Sequence, residues 1–160
     1  MIEELLSVEP LSWLGLLSAM LSGAIIGLER QMLGKPVGIR TSMLICVGTY
    51  IFIATSNSVA TGVTDPSRVI GQVVTGIGFL GAGVMLSRDG FVYGVTSASA
   101  IWILAAVGVV IGSERYLTGI KLAVLAVVIL VGVDMLENSF KAMRRGVHAK
   151  LSSGKQEGNE

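Results

Sequence analysis

The charged residues of this chain fall in clusters, and the intervals between clusters have the length of a membrane crossing. Pro10–Leu28, Thr41–Thr64, Val69–Ser87 and Gly90–Ser113 contain no Asp, Glu, Lys or Arg. A helix rises about 1.5 Å per residue, so about 20 residues cross a hydrocarbon core of ~30 Å. Each interval is long enough to span once and too short to span twice. A fifth, Leu117–Leu136, carries Lys121 and Asp134, both within about a turn of its ends, where they reach the interface. The apolar runs are continuous rather than alternating, which excludes the strands of a membrane barrel.

Composition agrees. Of 160 residues, 52% are hydrophobic and 14% charged, against about 25% charged in an ordinary soluble domain. The expected fold is an all-α membrane protein of about five transmembrane helices, near 10–28, 41–60, 67–86, 95–112 and 117–136. Residues 137–160 would form a basic juxtamembrane helix and a disordered tail; Phe140, Met143, Val147 and Leu151 fall at roughly helical spacing there. The segment before the first span is acidic and does not read as a cleaved signal peptide. With that segment outside, nine of the twelve basic residues lie inside and only Arg68, Arg115 and Lys121 outside. The basic asymmetry predicts the N-terminus outside and the C-terminus in the cytoplasm.

Several functions are excluded. A net charge of +1 gives no footprint for a nucleic acid. A single cysteine, Cys46, forms no internal disulfide, and a single histidine, His148, argues against a histidine zinc site or a Ser-His-Asp triad. Ser97 and Ser99 have no nearby base. The chain therefore reads as no enzyme. No cofactor is indicated, and a metal site is left undetermined.

The 21 glycines are the next constraint, because small residues let membrane helices approach closely. Gly23 and Gly27 form a GxxxG pair in the first span, and Gly108 and Gly112 another in the fourth. The third holds Gly71, Gly76, Gly78, Gly81 and Gly83, with Gly71, Thr75, Gly78 and Ala82 on one smooth face. This density predicts that the third helix is the central packing element. Small faces in excess of what a five-helix bundle needs predict a homo-oligomer, with a dimer favoured. Gly76-Ile77-Gly78-Phe79-Leu80-Gly81 matches G-x-G-x-x-G, but a dinucleotide site needs a strand before it and a helix starting in it. Here the motif lies inside an uncharged span. Helix packing is the better reading, and a glycine-rich break lining a solute path is the competitor.

Asp65 followed by Pro66 is a strong helix start. Arg68 and Gln72 share a face with Thr75 and Phe79, and this face is either an interhelical polar clamp or the lining of an outward-open site. At the inner end, Glu29, Arg30, Arg40, Arg88, Asp89 and Asp134 could meet at one depth. Interfacial ion pairs are the simpler reading, and an ion site the alternative. Tyr50 and Trp102 fall mid-span and are expected to hydrogen-bond to neighbouring helices.

Taken in order, three stretches resemble the N-terminal membrane domain of the MgtC/SapB family: GLERQMLGKPVGIRT (Gly27 to Thr41), DPSRVIGQVVTGIGFLGAGVML (Asp65 to Leu86) and GVTSASAIWILAAVGVVIG (Gly94 to Gly112). The resemblance covers roughly residues 15 to 135. It implies a bacterial inner-membrane protein of about five spans, linked to growth under magnesium limitation and, in pathogens, to survival in phagocytes. It implies a regulator of other membrane proteins. It places motif residues at Glu29, Arg30, Arg40, Asp65, Arg68, Gln72, Gly76, Gly78, Gly81 and Trp102. The short basic tail is similar to that of the shorter members, which lack the soluble C-terminal domain. Two functions stay open: a regulator or adaptor contacting itself and another inner-membrane protein within the lipid bilayer, or an oligomeric small transporter or channel for a cation or small solute.

Overall fold

The computed structural model describes residues 7–59, 65, 67–88 and 90–139. Among the described residues there are five helices: α1 (Trp13–Met32), α2 (Ile39–Val59), α3 (Ser67–Gly83), α4 (Val95–Gly112) and α5 (Tyr116–Ser139). Four of them, all but α3, are long and apolar enough to cross a membrane. At 17 residues, α3 is about 25 Å long, roughly a turn shorter than the expected span. The expected tail helix at 137–160 lies largely outside the described residues. The chain divides into two compact units, Met1–Ala126 and Val127–Glu160. The described part of the second is the run 127–139 of α5.

Local chemistry fixes the helix ends. Ser12 caps α1, its Oγ accepting from the Gly15 N–H at 3.0 Å. At the other end Gly34 takes the left-handed conformation, with φ +62°. Its N–H donates to the Gln31 carbonyl at 3.1 Å, and the Lys35 N–H to the Arg30 carbonyl at 2.9 Å. These paired bonds close the last turn, and Pro36 prevents its continuation. The same bond pattern ends α4, with Glu114 in the position glycine prefers: φ is +62°, and Glu114 and Arg115 donate to the Ile111 and Val110 carbonyls.

The first unit is organised around α4, which is flanked by α1, α2 and α3 and buries nine residues. This corrects the expectation that α3 is central, since α3 buries only Ile77 and Gly81. A Cβ built at Gly71, Gly76, Gly78 or Gly83 would meet nothing within 4 Å, and one at Gly81 makes only ordinary contact with Ala98. The close approaches lie elsewhere. A Cβ at Gly23 would sit 2.6 Å from Met43 Cα, and one at Gly27 2.6 Å from Ile39 Cα, so α1 and α2 meet backbone to backbone. A Cβ at Gly108 would sit 2.7 Å from the Cys46 carbonyl oxygen, and one at Gly112 2.5 Å from Ile53. Both pairs therefore serve contacts within the chain. Ala19, Cys46, Tyr50, Val107 and Ile111 form the buried core between these helices.

One element departs from the all-α expectation. After α3, β1 (Leu86–Arg88) pairs antiparallel with β2 (Phe91–Tyr93), in a register that sets Leu86 opposite Tyr93. Gly90 at the turn has φ +78°. Gly94, with φ +88°, leads into α4, and a side chain there would strike the Val84 carbonyl oxygen.

Candidate functional site

Of the polar residues expected to meet at one depth, Glu29 and Arg30 are buried rather than set at the surface, and Asp89 and the Arg88 side chain lie outside the described residues. Arg30, in the last turn of α1, is 1% exposed and is the largest fully buried side chain. Its Nη2 donates to Ser97 Oγ in the first turn of α4 at 2.6 Å, and its Nε donates to the Pro36 carbonyl at 3.4 Å. One guanidinium thus ties α1, the α1–α2 loop and α4 together, which suits its planar fork of donors. Arg30 Nη1 has no hydrogen-bond partner among the described residues, nor does either carboxylate oxygen of Glu29, which is 8% exposed. Unpaired buried charge is costly and concentrates where function requires it. Arg40, in the first turn of α2, is exposed and does not join this cluster.

The loop beneath is strained. Val37 is buried with φ +67°, a left-handed conformation that costs a β-branched residue about 1–3 kcal/mol. Its carbonyl accepts from Ser42 Oγ at 3.1 Å, which anchors the loop to the first turn of α2. No sequence signal announced this residue.

At the other end, Asp65 caps α3. The Ser67 N–H donates to Oδ1 at 2.9 Å and the Ser67 hydroxyl to Oδ2 at 2.7 Å. The Ser67 hydroxyl and then its N–H hold the Asp65 carboxyl below its ordinary range, with a smaller contribution from the Arg68 charge. Arg68 is exposed. Gln72 lines a cleft of about 340 Å³ between α2 and α3, opposite Thr49 and Phe52. Its side chain makes no hydrogen bond among the described residues, so no clamp to a neighbouring helix is seen among them. Thr75 satisfies its own hydroxyl on the Gly71 carbonyl at 2.9 Å. Phe79, on the same face, is 82% exposed.

The mid-span aromatics part company. Tyr50 OH accepts from the Ser12 N–H at 2.9 Å, whereas Trp102 is half exposed. Among the described residues, no group of three or more His, Cys, Asp or Glu side chains could hold a metal ion.

The pattern of the MgtC family matches residues 16–139. The chain is 41% identical over 144 residues to "Putative magnesium transporter YhiD" of Escherichia coli (strain K12), covering 86% of this chain and 66% of that protein. It is 39% identical over 137 residues to "Protein MgtC" of Brucella abortus (strain 2308), covering 82% of this chain and 56% of that one. It is also 39% identical over 123 residues to "Protein MgtC" of Salmonella typhimurium (strain LT2), covering 77% and 51%. The chain thus spans between about half and two thirds of the length of these curated relatives. No solved structure matches.

Proposed function

This chain belongs to the MgtC family and is a multi-pass protein of the bacterial inner membrane, and from that premise we propose that it is a regulator or adaptor in adaptation to low magnesium or envelope stress. It works through helix–helix contact with a second copy of itself and with a membrane partner. The observation that carries this reading is the state of α3. Four of its five glycines, Gly71, Gly76, Gly78 and Gly83, would meet nothing within 4 Å if given a Cβ, and Gln72 has no hydrogen-bond partner among the described residues. In hydrocarbon an unpaired amide is expensive. A second copy offers an identical amide, and a glutamine is self-complementary as donor and acceptor. The dimer therefore packs through α3, because the glycine pairs of α1 and α4 are already occupied.

In this account the N-terminus is outside and the C-terminus cytoplasmic, as the basic residues ask. Reporter fusions after Lys35 and Asp89 read inside, and those after Thr61 and Glu114 outside. An external signal at Lys35 overturns that topology.

A second reading has one observation in its favour. The Gln72 cleft between α2 and α3 would line a path in an oligomeric transporter. Purified protein in liposomes decides between them. The adaptor reading expects no protein-dependent magnesium flux, together with loss of growth in magnesium-poor medium for Gln72→Ala at normal abundance. Saturable flux abolished by Gln72→Ala would replace it with the transporter.

A further inference from the structure

A second cavity, of about 460 Å³, lies between the start of α1 and the α4–α5 turn. Its walls are apolar, from Leu14 on α1 and Leu117 and Ile120 on α5, and its rim carries Glu114 and Arg115. Neither charged side chain is engaged by another side chain among the described residues. The cavity opens where two spans begin and end, so its apolar part faces acyl chains and its charged part the headgroup layer.

Three features give this cavity a chemical preference. Arg115 precedes α5, and the N–H groups of Leu117 and Thr118 in its first turn have no acceptor among the described residues. A cation beside free helix-terminal N–H groups suits a phosphate. Glu114, the neighbouring residue, suits an ammonium. Ser18 also lines the cavity; it is 5% exposed, and its hydroxyl has no hydrogen-bond partner among the described residues. It is a buried polar group turned to the cavity and left for an occupant to satisfy. The base of the cavity is held by hydrogen bonds that join three helices: Ser12 Oγ lies 3.0 Å from Tyr116 OH, and Tyr50 OH accepts from the Ser12 N–H.

We propose that this cavity binds one zwitterionic aminophospholipid, with the phosphate on Arg115 and the first turn of α5, the ammonium on Glu114, and acyl chains along Leu14, Leu117 and Ile120. An anionic lipid would satisfy Arg115 and be repelled by Glu114, so the two rim charges together select the zwitterion.

Purified protein in nanodiscs of equal phosphatidylethanolamine and phosphatidylglycerol, followed by mass spectrometry after release into detergent, tests this. The expected result is one retained phosphatidylethanolamine in at least fivefold excess over phosphatidylglycerol. Glycerophosphoethanolamine, the headgroup without chains, should not displace it at equal concentration; displacement would make the site one for a soluble aminophosphate and overturn the lipid. Arg115→Ala and Ser18→Leu should each lower retention at least fivefold. Glu114→Gly separates the site from the fold, because glycine prefers the positive φ at this position. It should melt no lower than the parent yet lose the preference for phosphatidylethanolamine. Equal retention of both lipids by the parent, or an undiminished preference in Glu114→Gly, would overturn the proposal.

Discussion

Arg30 on α1 and Ser97 on α4, 67 positions apart in sequence, are joined by a buried 2.6 Å hydrogen bond. This bond lies between two of the stretches that carry the family resemblance, GLERQMLGKPVGIRT and GVTSASAIWILAAVGVVIG. It brings them to one point at the end of the bundle where α1 stops and α4 starts.

Arg30→Met should fold, because a flexible apolar chain of similar length fills the same space and removes a buried charge. It should nevertheless fail to support growth in magnesium-poor medium. Arg30→Lys should fail as well, since one ammonium cannot reproduce the fork that reaches both Ser97 and the Pro36 carbonyl. Ser97→Ala should lower stability by about 1.5–3 kcal/mol, the range for a hydrogen bond to a charged group. Immunoblots of membranes beside growth curves separate the effects. Normal growth for Arg30→Met would reduce Arg30 to a structural tie.

Glu29→Gln should raise abundance or melting temperature while impairing function. The carboxylate oxygens are buried without hydrogen-bond partners among the described residues, so neutralising them removes a desolvation cost. A gain in stability bought with activity marks a residue kept for its chemistry. A variant that is less stable than the parent would contradict this.

Gly108→Leu should destabilise the protomer itself, by at least the 1–3 kcal/mol typical of overpacking, because its Cβ would press on the Cys46 carbonyl and Thr49. Gly78→Leu should leave the protomer intact, because that face is open, and should weaken self-association. Thermal melting and size-exclusion chromatography in mild detergent distinguish the two. Equal loss of melting temperature in both would mean that α3 is packed within the chain.

Asp65→Asn should be mild near neutral pH, since asparagine caps helices about as well as aspartate. The carboxyl is held below its ordinary range, so the ionised cap stabilises the fold above about pH 4 and loses that contribution as pH falls through the lowered value. The parent should therefore lose more melting temperature than Asp65→Asn between pH 7 and pH 3. Parallel losses would show that the Asp65 charge contributes nothing to the cap.

Much of the architecture was legible because hydrocarbon length and charge placement leave few alternatives. Asp65 followed by Pro66 marked the start of α3. The place of each helix in the bundle was not legible. A glycine face shows that a backbone can approach closely, but not whether the partner is in the same chain. Gly23 and Gly108 meet neighbours, while Gly71 and Gly78 do not. The burial of Arg30 was hidden for a similar reason: a charge in the last turn of a span reads as interfacial, and only the approach of Ser97 takes it out of water. The hairpin after α3 was passed over although Asp89-Gly90 is a strong turn signal, because the absence of charge carried the span on to residue 86.

The central claim is that the open face of α3 is a contact surface between copies. Cysteine cross-linking in native membranes tests it most directly, with single cysteines placed from Arg68 to Phe79 in a Cys46→Ala background. The account predicts disulfide-linked dimers at positions recurring every three to four residues on the Gln72, Thr75 and Phe79 face, and their loss when Gly78 is replaced by leucine. Cross-linking that is absent along α3, or that shows no helical period, would contradict it.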